Sequence, residues 1–299
     1  MQHEITSRAP LLDAAGKLRE AGYAKRLLPV YDRAAIRAGG ARIKEWDYYL
    51  VANDHYAVAL TIDDNGYMGL DSISFLHFDE RWEKTKSPMR AFPMGRTGLP
   101  ASSAAGDTVI NRKYYALSFR HEEGARVLTF HMEDFLDGLP VSGRIRLTDE
   151  PEESMVICTP FEKPGHFYYN QKINCMRASG SVLVSGREYV FDPADSFGVL
   201  DWGAASGRIT TPGTGAAPPG RWTVSRSAGT SAMASATPPP RARTCYSTVA
   251  GRTSSVRCSS TSPCGTGART ISARGRSRRT TGGLRWTSCR FSTAPPARM

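Results

Sequence analysis

Four polar or aromatic side chains alternate along one predicted strand late in the chain, and their types and spacing suit ligand binding. They are His166, Tyr168, Asn170 and Lys172. Side chains two positions apart on a strand project from the same face, so these four share a face. Such a face suits a ligand with a few polar groups held inside a barrel. The alternative is that it meets solvent, as one face of an antiparallel sheet commonly does.

An acidic and an aromatic residue, Asp201 and Trp202, lie side by side at the end of a later predicted strand. A carboxyl group against an aromatic wall in an apolar pocket is the arrangement that a general acid needs. Asp201 is therefore the candidate catalytic acid, and Trp202 is a further candidate ligand contact. The alternative is a strand-end Asp that accepts backbone hydrogen bonds beside a Trp of the core.

The common catalytic and metal-binding motifs are absent from the sequence. It contains no GxSxG, HExxH, P-loop or dinucleotide-binding glycine pattern, and no CxxC. His131 and Glu133 share a predicted strand face, but two ligands do not define a metal site. We therefore expect no metal and no cofactor, and the residues leave open whether the protein is an enzyme.

Period-two patterns predict strands through most of the first 203 residues. Large residues alternate across 46–52 and 56–63, and Asp64-Asn65-Gly66 then predicts a tight hairpin. Similar patterns recur within 115–132, 142–147, 155–158 and 167–201. No pattern of a long helix separates them, which favours an antiparallel meander. Residues 80–108 are instead predicted to be a long polar loop, of the kind that forms lids or binding loops.

The composition of the chain changes abruptly after Gly203. Of the 39 Lys and Arg residues, 15 Arg lie in 204–299, which leaves 24 basic residues before them against all 28 acidic ones. The first 203 residues are thus mildly acidic, and the net charge of +11 comes from the tail. The tail also contains no Lys, Asp, Glu, Asn, Gln or His, and a single Tyr, Tyr246. Folding and binding supply no reason to exclude these residues together.

Codon structure does supply a reason, because the depleted residues are those whose codons carry adenine in the second position. We hypothesise that residues 204–299 are an out-of-frame translation after the loss of one nucleotide near the Gly203 codon. We expect this tail to be disordered. The alternative is a genuine basic segment that binds nucleic acid, with salt-dependent affinity that deletion of 204–299 would abolish. We expect no nucleic-acid partner.

The N-terminus and the cysteines indicate the cytoplasm. The first residues contain no apolar run of signal-peptide length, and no stretch approaches the ~20 apolar residues of a membrane span. Cys158 and Cys175, which precede the tail, fit buried reduced thiols of a cytosolic protein. We therefore predict a cytoplasmic protein without a membrane span.

Two segments resemble the uncharacterised bacterial family called domain of unknown function 2804. They read NQKINCMRASGSV, followed by FDPADSFGVLDWG, and, earlier, KEWDYYLVANDHYAVALTIDDNGYMG. The resemblance covers about residues 10–203 and is most specific at Asn170, Lys172, Gly180 and the triplet 201–203. In the family this triplet precedes Arg-Gly, whereas Ala-Ala-Ser follows it here. The implied layout is similar to the lipocalin-like barrel pairs of carotenoid hydratases, a likeness of fold that does not determine chemistry.

These patterns predict an all-β fold of antiparallel meanders, most like a lipocalin-like barrel or sandwich with an incomplete second sheet. Residues 1–160 are expected to form a first β unit, 161–203 the start of a second, and 204–299 the disordered tail. The first functional hypothesis is the binding of a hydrophobic or lipid-like small molecule. The second is a hydratase or isomerase acting on such a ligand. An enclosed carboxyl with a raised pKa would favour the enzyme.

The frameshift hypothesis predicts a property of the gene. Restoring one nucleotide near codon 203 is expected to open a long reading frame with ordinary acidic and aromatic content, because the wobble base would return to the third codon position. Sequencing the gene across this codon checks the prediction. A restored frame that stops early, or that keeps the biased composition, would refute the hypothesis.

Overall fold

The structure, a computed structural model, describes residues 3–207 in full and the backbone of 243–249 and 252–258. The chain divides into two compact units, Met1–Ser259 and Ser260–Met299, and all described residues belong to the first. The strands of its first half are β1 Ala9–Pro10, β2 Gly22–Ala24, β3 Pro29–Val30, β4 Ile43–Ala52, β5 Tyr56–Asp64, β6 Met68–His77, β7 Trp82–Lys86, β8 Met89–Ala91 and β9 Thr108–Asn111. The remaining strands are β10 Tyr115–Glu122, β11 Ala125–Leu136, β12 Leu139–Thr148, β13 Met155–Pro160, β14 Phe167–Val184, β15 Arg187–Phe191, β16 Phe197–Ser206, β17 Arg243–Val249 and β18 Arg252–Cys258.

Fourteen of these strands form one antiparallel sheet. Its main path runs β7-β6-β5-β4-β16-β14-β12-β11-β10-β9, with β2, β8, β13 and β15 attached beside it. β1 pairs with β3 in parallel, and β17 pairs with β18. The prediction of an all-β, antiparallel fold is confirmed. The path is open at β7 and β9, so the described strands form no closed barrel, and the lipocalin-like likeness stays a prediction.

The sheet curls so that strands β4–β7 lie over strands β9–β12, with the core between them. Tyr49 of β4 meets Phe119 of β10 edge-on, with ring centroids 5.0 Å apart. The hydroxyl of Tyr115 on β10 donates to Asp71 of β6 at 3.0 Å. Along β4 the buried and half-buried residues alternate without a break, because its odd-numbered side chains face this core.

The hairpin predicted at Asp64-Asn65-Gly66 joins β5 to β6 as expected. Gly66 has a φ of +80°, a conformation that glycine adopts without the steric cost of a Cβ. The Asp64 carboxylate accepts a hydrogen bond from the Gly66 amide at 2.9 Å, which closes the turn locally. The preceding turn uses Asn53, whose side-chain oxygen accepts from the amides of His55 and Tyr56, each at 2.9 Å.

The long loop predicted across 80–108 is wrong in its first part. Strands β7 and β8 occupy Trp82–Lys86 and Met89–Ala91, and both pair with β6. Strand β7 was not predicted because its sequence is polar. It lies at the sheet edge with one face exposed, so polar residues are expected there. Trp82 alone marks the inner face, where its ring lies 5.5 Å from that of Phe75. Irregular backbone remains over most of 92–107.

Strand β14 is 18 residues long, and its two halves pair with different strands. Its first half pairs with β13 on one edge and β16 on the other, and its second half pairs with β12 and β15. The register with β16 shifts between Ile173 and Met176, where Cys175 has a φ of +63°. Residues 161–203, predicted to open a second sheet, thus supply central strands of the same sheet as β4–β12.

Strand β16 continues to Ser206, three residues beyond the predicted end of the folded part. Ala204, Ala205 and Ser206 are buried and pair with both β4 and β14. Apart from β17 and β18, the tail beyond 207 that was predicted to be disordered lies outside the described residues. Among the described residues, no helix has the length and apolar character to cross a bilayer.

Gly180 on β14 gives a test of this fold. It has a φ of +137°, and a Cβ there would lie 2.1 Å from the carbonyl oxygen of Arg144 on β12. We predict that Gly180→Ala lowers the free energy of unfolding by about 2 kcal/mol, because the backbone conformation disfavours other residues. Urea denaturation measures the change. Gly39→Ala is the matched control, since Gly39 has a φ of −60° and open space around it; equal losses in both variants would contradict the prediction.

Candidate functional site

Three adjacent strands, β14, β16 and β4, hold most of the residues selected from the sequence. Asn170 pairs with Gly203, which pairs with Trp46. Two residues further along the strands, Lys172 pairs with Asp201. Residues directly opposite each other on neighbouring strands project from the same face. The face is the one away from the core, since the core contains the residues between these positions, such as Tyr169 and Trp202. We call Trp46, Tyr168, Asn170, Lys172 and Asp201 the Asp201 cluster.

The carboxylate of Asp201 is the centre of this cluster. Its Oδ2 forms an ion pair with the ammonium group of Lys172. Its Oδ1 accepts hydrogen bonds from the indole Nε1 of Trp46 at 2.9 Å and from the amide Nδ2 of Asn170 at 2.6 Å. The Asp201 and Lys172 side chains are 24% and 14% exposed, so solvent screens this pair only in part. Three donors therefore hold the carboxylate in one position.

Asn170 carries a hydrogen-bond acceptor that no described residue satisfies. The residue is fully buried, and its Nδ2 also donates to the carbonyl oxygen of Trp202 at 2.9 Å. Its Oδ1 is buried and has no hydrogen-bond partner among residues 3–207. A buried acceptor without a donor costs free energy, so a group that donates to Asn170 Oδ1 would be stabilised at this point.

An aromatic pair lies beside the polar groups. The rings of Trp46 and Tyr168 stack with centroids 5.6 Å apart and planes 26° apart. The indole of Trp46 lies across Gly203, where a Cβ would come within 2.6 Å of the ring and 2.5 Å of the Tyr169 carbonyl oxygen. Glycine is therefore required at 203 for the indole to reach Asp201. Trp46 and Tyr168 are both half-buried, and together they present an apolar surface next to a charged pair.

Burial shifts the proton affinities in the cluster. It lowers the pKa of Lys172 to about 8, because the ammonium loses solvation. It raises the pKa of Tyr168 to about 12, so this phenol stays protonated near neutral pH. The ion pair with Asp201 acts in the opposite direction on Lys172, since a nearby negative charge favours the ammonium form.

Two of the residues selected from the sequence lie apart from the cluster. Trp202 faces the core, where its ring makes edge-on contacts with Tyr31 at 6.4 Å and Tyr169 at 5.6 Å. Adjacent strand residues project to opposite faces, so Trp202 cannot form an aromatic wall for Asp201. His166 precedes β14 and lies beside Gly207, where a Cβ would be 2.5 Å from its Nδ1. Burial and the charges of Lys163 and Arg42 lower the pKa of His166.

The aromatic partner of Asp201 is Trp46, which the sequence analysis did not select. The two residues are 155 positions apart. The alternation of large residues placed Trp46 on a predicted strand. No local sequence pattern indicates that this strand, β4, pairs with β16. Among the described residues, no group of three or more His, Cys, Asp or Glu side chains is placed to hold a metal ion.

The cluster can therefore bind a ligand in three ways at once. The stacked rings of Trp46 and Tyr168 would contact an apolar body. Asn170 Oδ1 would accept a hydrogen bond, and Lys172 would donate one or exchange a proton near its lowered pKa. This combination of one apolar surface with a few fixed polar groups is typical of small-molecule sites.

Comparisons with known proteins give a family and one distant structure. No curated protein matches the chain. The crystal structure of kievitone hydratase from Nectria haematococca is similar at 12% identity and a TM-score of 0.33, over 69% of this chain and 60% of that one. The chain thus spans less than two thirds of the hydratase that it matches. Residues 2–208 match the model of the family described as Domain of unknown function (DUF2804), and the chain belongs to that family.

Proposed function

We propose that this domain binds a small molecule with an apolar body and a hydrogen-bond donor at the Asp201 cluster. The observation that carries the proposal is the buried, unpartnered Oδ1 of Asn170 beside the half-buried rings of Trp46 and Tyr168. A surface that only met solvent would let water satisfy Asn170, but this residue is fully buried. A lipid-like alcohol or amide has both of the required features.

The Lys172–Asp201 ion pair favours a ligand that has a polar group at one end. Lys172 and Asp201 are held by their neighbours and are mostly screened from solvent. A polar head placed against them would replace lost hydration, whereas a purely apolar molecule would leave the pair further desolvated. We therefore expect fatty alcohols and fatty amides to bind better than alkanes of the same length.

A binding titration tests this proposal. We predict that dodecanol or dodecanamide quenches the tryptophan fluorescence saturably, and that Trp46→Leu weakens the affinity about tenfold because a stacked aromatic contact is lost. Lys172→Met is expected to weaken binding of the amide as well. Isothermal calorimetry gives the same constants independently.

Tyr114→Leu is the control for that titration, since Tyr114 is an exposed aromatic residue away from the cluster. It should leave both affinities unchanged. If Trp46→Leu and Lys172→Met bound both compounds as tightly as the unsubstituted protein, the Asp201 cluster would not be the binding site.

A hydratase or isomerase function is a second candidate, and one observation favours it. Burial brings the pKa of Lys172 to about 8, close to the pH at which acid–base catalysts exchange protons efficiently. Lys172 contacts Asp201, so a proton could pass between an ammonium, a carboxylate and a bound substrate. In this scheme Asp201 keeps Lys172 in place and stabilises its charged form.

The lowered pKa of Lys172 can be measured without a substrate. A lysine whose pKa is lowered becomes a neutral, nucleophilic amine at a lower pH than an ordinary lysine. We predict that competitive acetylation of Lys172, followed by mass spectrometry, has its midpoint near pH 8. The exposed Lys113 serves as the internal reference. Identical midpoints for the two lysines would remove the argument for acid–base chemistry at this position.

We also propose that residues 204–299 are an out-of-frame translation. The match ends at residue 208 and the change of composition begins at 204, and both observations support this proposal. The proposed ligand site lies wholly in 46–201 and does not depend on the tail. The proposal of small-molecule binding and the proposal of a frame change are therefore independent of each other.

A further inference from the structure

A second polar cluster lies on the core face of the same three strands. One row of side chains crosses β14, β16 and β4 as Gln171, Trp202 and Asp47, which are direct partners in register. All three are buried. Segment 99–108, between β8 and β10, covers this row. We call Asp47, Ser103, Thr108, Arg126 and Gln171 the inner site.

Asp47 is the one carboxyl group of the inner site, and one of its two oxygens has no hydrogen-bond partner among residues 3–207. Its residue is 5% exposed. Its Oδ2 accepts a hydrogen bond from the hydroxyl of Thr108 at 2.8 Å, and its Oδ1 has no partner among residues 3–207. Burial raises the pKa of Asp47 to about 6, although the Thr108 hydrogen bond and the charges of Arg126 and His121 act against this rise. Asp47 Oδ1 can therefore accept one more hydrogen bond.

The nearby positive charge does not fill that role, because Arg126 has other partners. Its Nε and Nη2 both lie 2.9 Å from Oε2 of Glu150, with which the guanidinium forms an ion pair. Its Nη1 donates to the carbonyl oxygen of Ser103 at 2.6 Å and contacts the hydroxyl of Tyr49 at 3.4 Å. Within the described residues Asp47 thus has no ion pair, and its buried Oδ1 has no hydrogen-bond partner.

Segment 99–108 is held over the site by side-chain hydrogen bonds, by the packing of Leu99 against the core and by the pairing of Thr108 with Phe119 of β10. Ser103 donates its hydroxyl hydrogen to Gln171 and accepts from Arg126 through its carbonyl oxygen. Thr108 donates to Asp47, and the Nδ1 of His121 lies 2.9 Å from the Gly106 carbonyl oxygen. Opening the cover breaks these contacts, a local opening of the kind that folded proteins undergo without unfolding globally.

We propose that the inner site binds a small neutral molecule that donates a hydroxyl or amide hydrogen to Asp47 Oδ1, with segment 99–108 as the cover that opens to admit it. Trp202 is the direct neighbour of Asp47 in register and is buried, so an aromatic or other planar body bound at Asp47 would lie next to an apolar side chain. An anionic ligand would find no free positive charge, because Arg126 is already paired with Glu150. A neutral donor also avoids the cost of moving a second charged group into this buried site. The site is on the face opposite the Asp201 cluster and does not depend on it.

Phenol is a suitable probe because it has a planar apolar ring and one hydroxyl donor, and anisole is its match without the donor. The experiment uses the full chain with ¹³C-labelled aspartate, and Asp47→Asn assigns the Asp47 carboxyl signal. We expect phenol to shift this signal saturably and to bind at least about tenfold more tightly than anisole, the difference that a hydrogen bond to a charged group makes. Asp47→Asn should lose about tenfold in phenol affinity, since its oxygen is uncharged.

Two further variants separate this proposal from its alternatives. Lys172→Met, on the opposite face, should leave phenol binding unchanged, whereas it weakens ligands of the Asp201 cluster. Ser103→Ala removes one contact of the cover and should speed both association and dissociation of phenol several-fold. Equal binding of phenol and anisole, or no saturable shift of the Asp47 signal, would show that Oδ1 meets only water and would overturn the proposal. Unchanged phenol kinetics in Ser103→Ala would overturn the role of the cover.

Discussion

The register that joins β14, β16 and β4 determines the chemistry of both faces of this sheet. Direct partners align into rows, so that Lys172, Asp201 and Tyr48 form one row and Gln171, Trp202 and Asp47 form the next. Neighbours in sequence then point in opposite directions, because the side-chain period of a strand is two. A slip of one residue along either ladder would exchange the outer and inner sets and bury the Lys172–Asp201 pair against the core.

The two carboxyl groups on these faces differ in how well their surroundings satisfy them. Asp201 is half-buried and has three donors from Lys172, Trp46 and Asn170. Asp47 is enclosed and has a single donor from Thr108. Burial raises the pKa of Asp47, a residue that was not predicted from the sequence. Environment, and not residue type, separates the two groups.

Local patterns in the sequence predicted much of this fold and part of its outer site. Alternation identified β4, β5 and β10, and the Asp64-Asn65-Gly66 turn identified a hairpin, because these signals depend on neighbouring residues alone. The shared face of Tyr168, Asn170 and Lys172 followed from the same period. Strand β7 was not predicted because its polar, partly exposed sequence resembles that of a loop.

The remaining features depend on pairings between distant segments, which local patterns do not encode. The sequence does not show whether the odd or the even residues of β4 face the core. Both sets contain large apolar or aromatic residues, Trp46 and Tyr48 in one and Tyr49 and Val51 in the other. Only the pairing of β4 with β16 brings Trp46 to Asp201. The burial of Asp47 follows from the same pairing and from the cover formed by segment 99–108, which contacts it through Thr108.

The distance in sequence between β4 and β16 also has a consequence for synthesis on the ribosome. Trp46 emerges 155 residues before Asp201, which at about 5–20 residues per second is roughly 8–30 s. Throughout that interval one edge of β4 exposes backbone groups that have no partner strand, a state prone to mispairing with other nascent chains. Chaperones that shield strand edges during translation are therefore expected to raise the yield of this protein more than those that act after release.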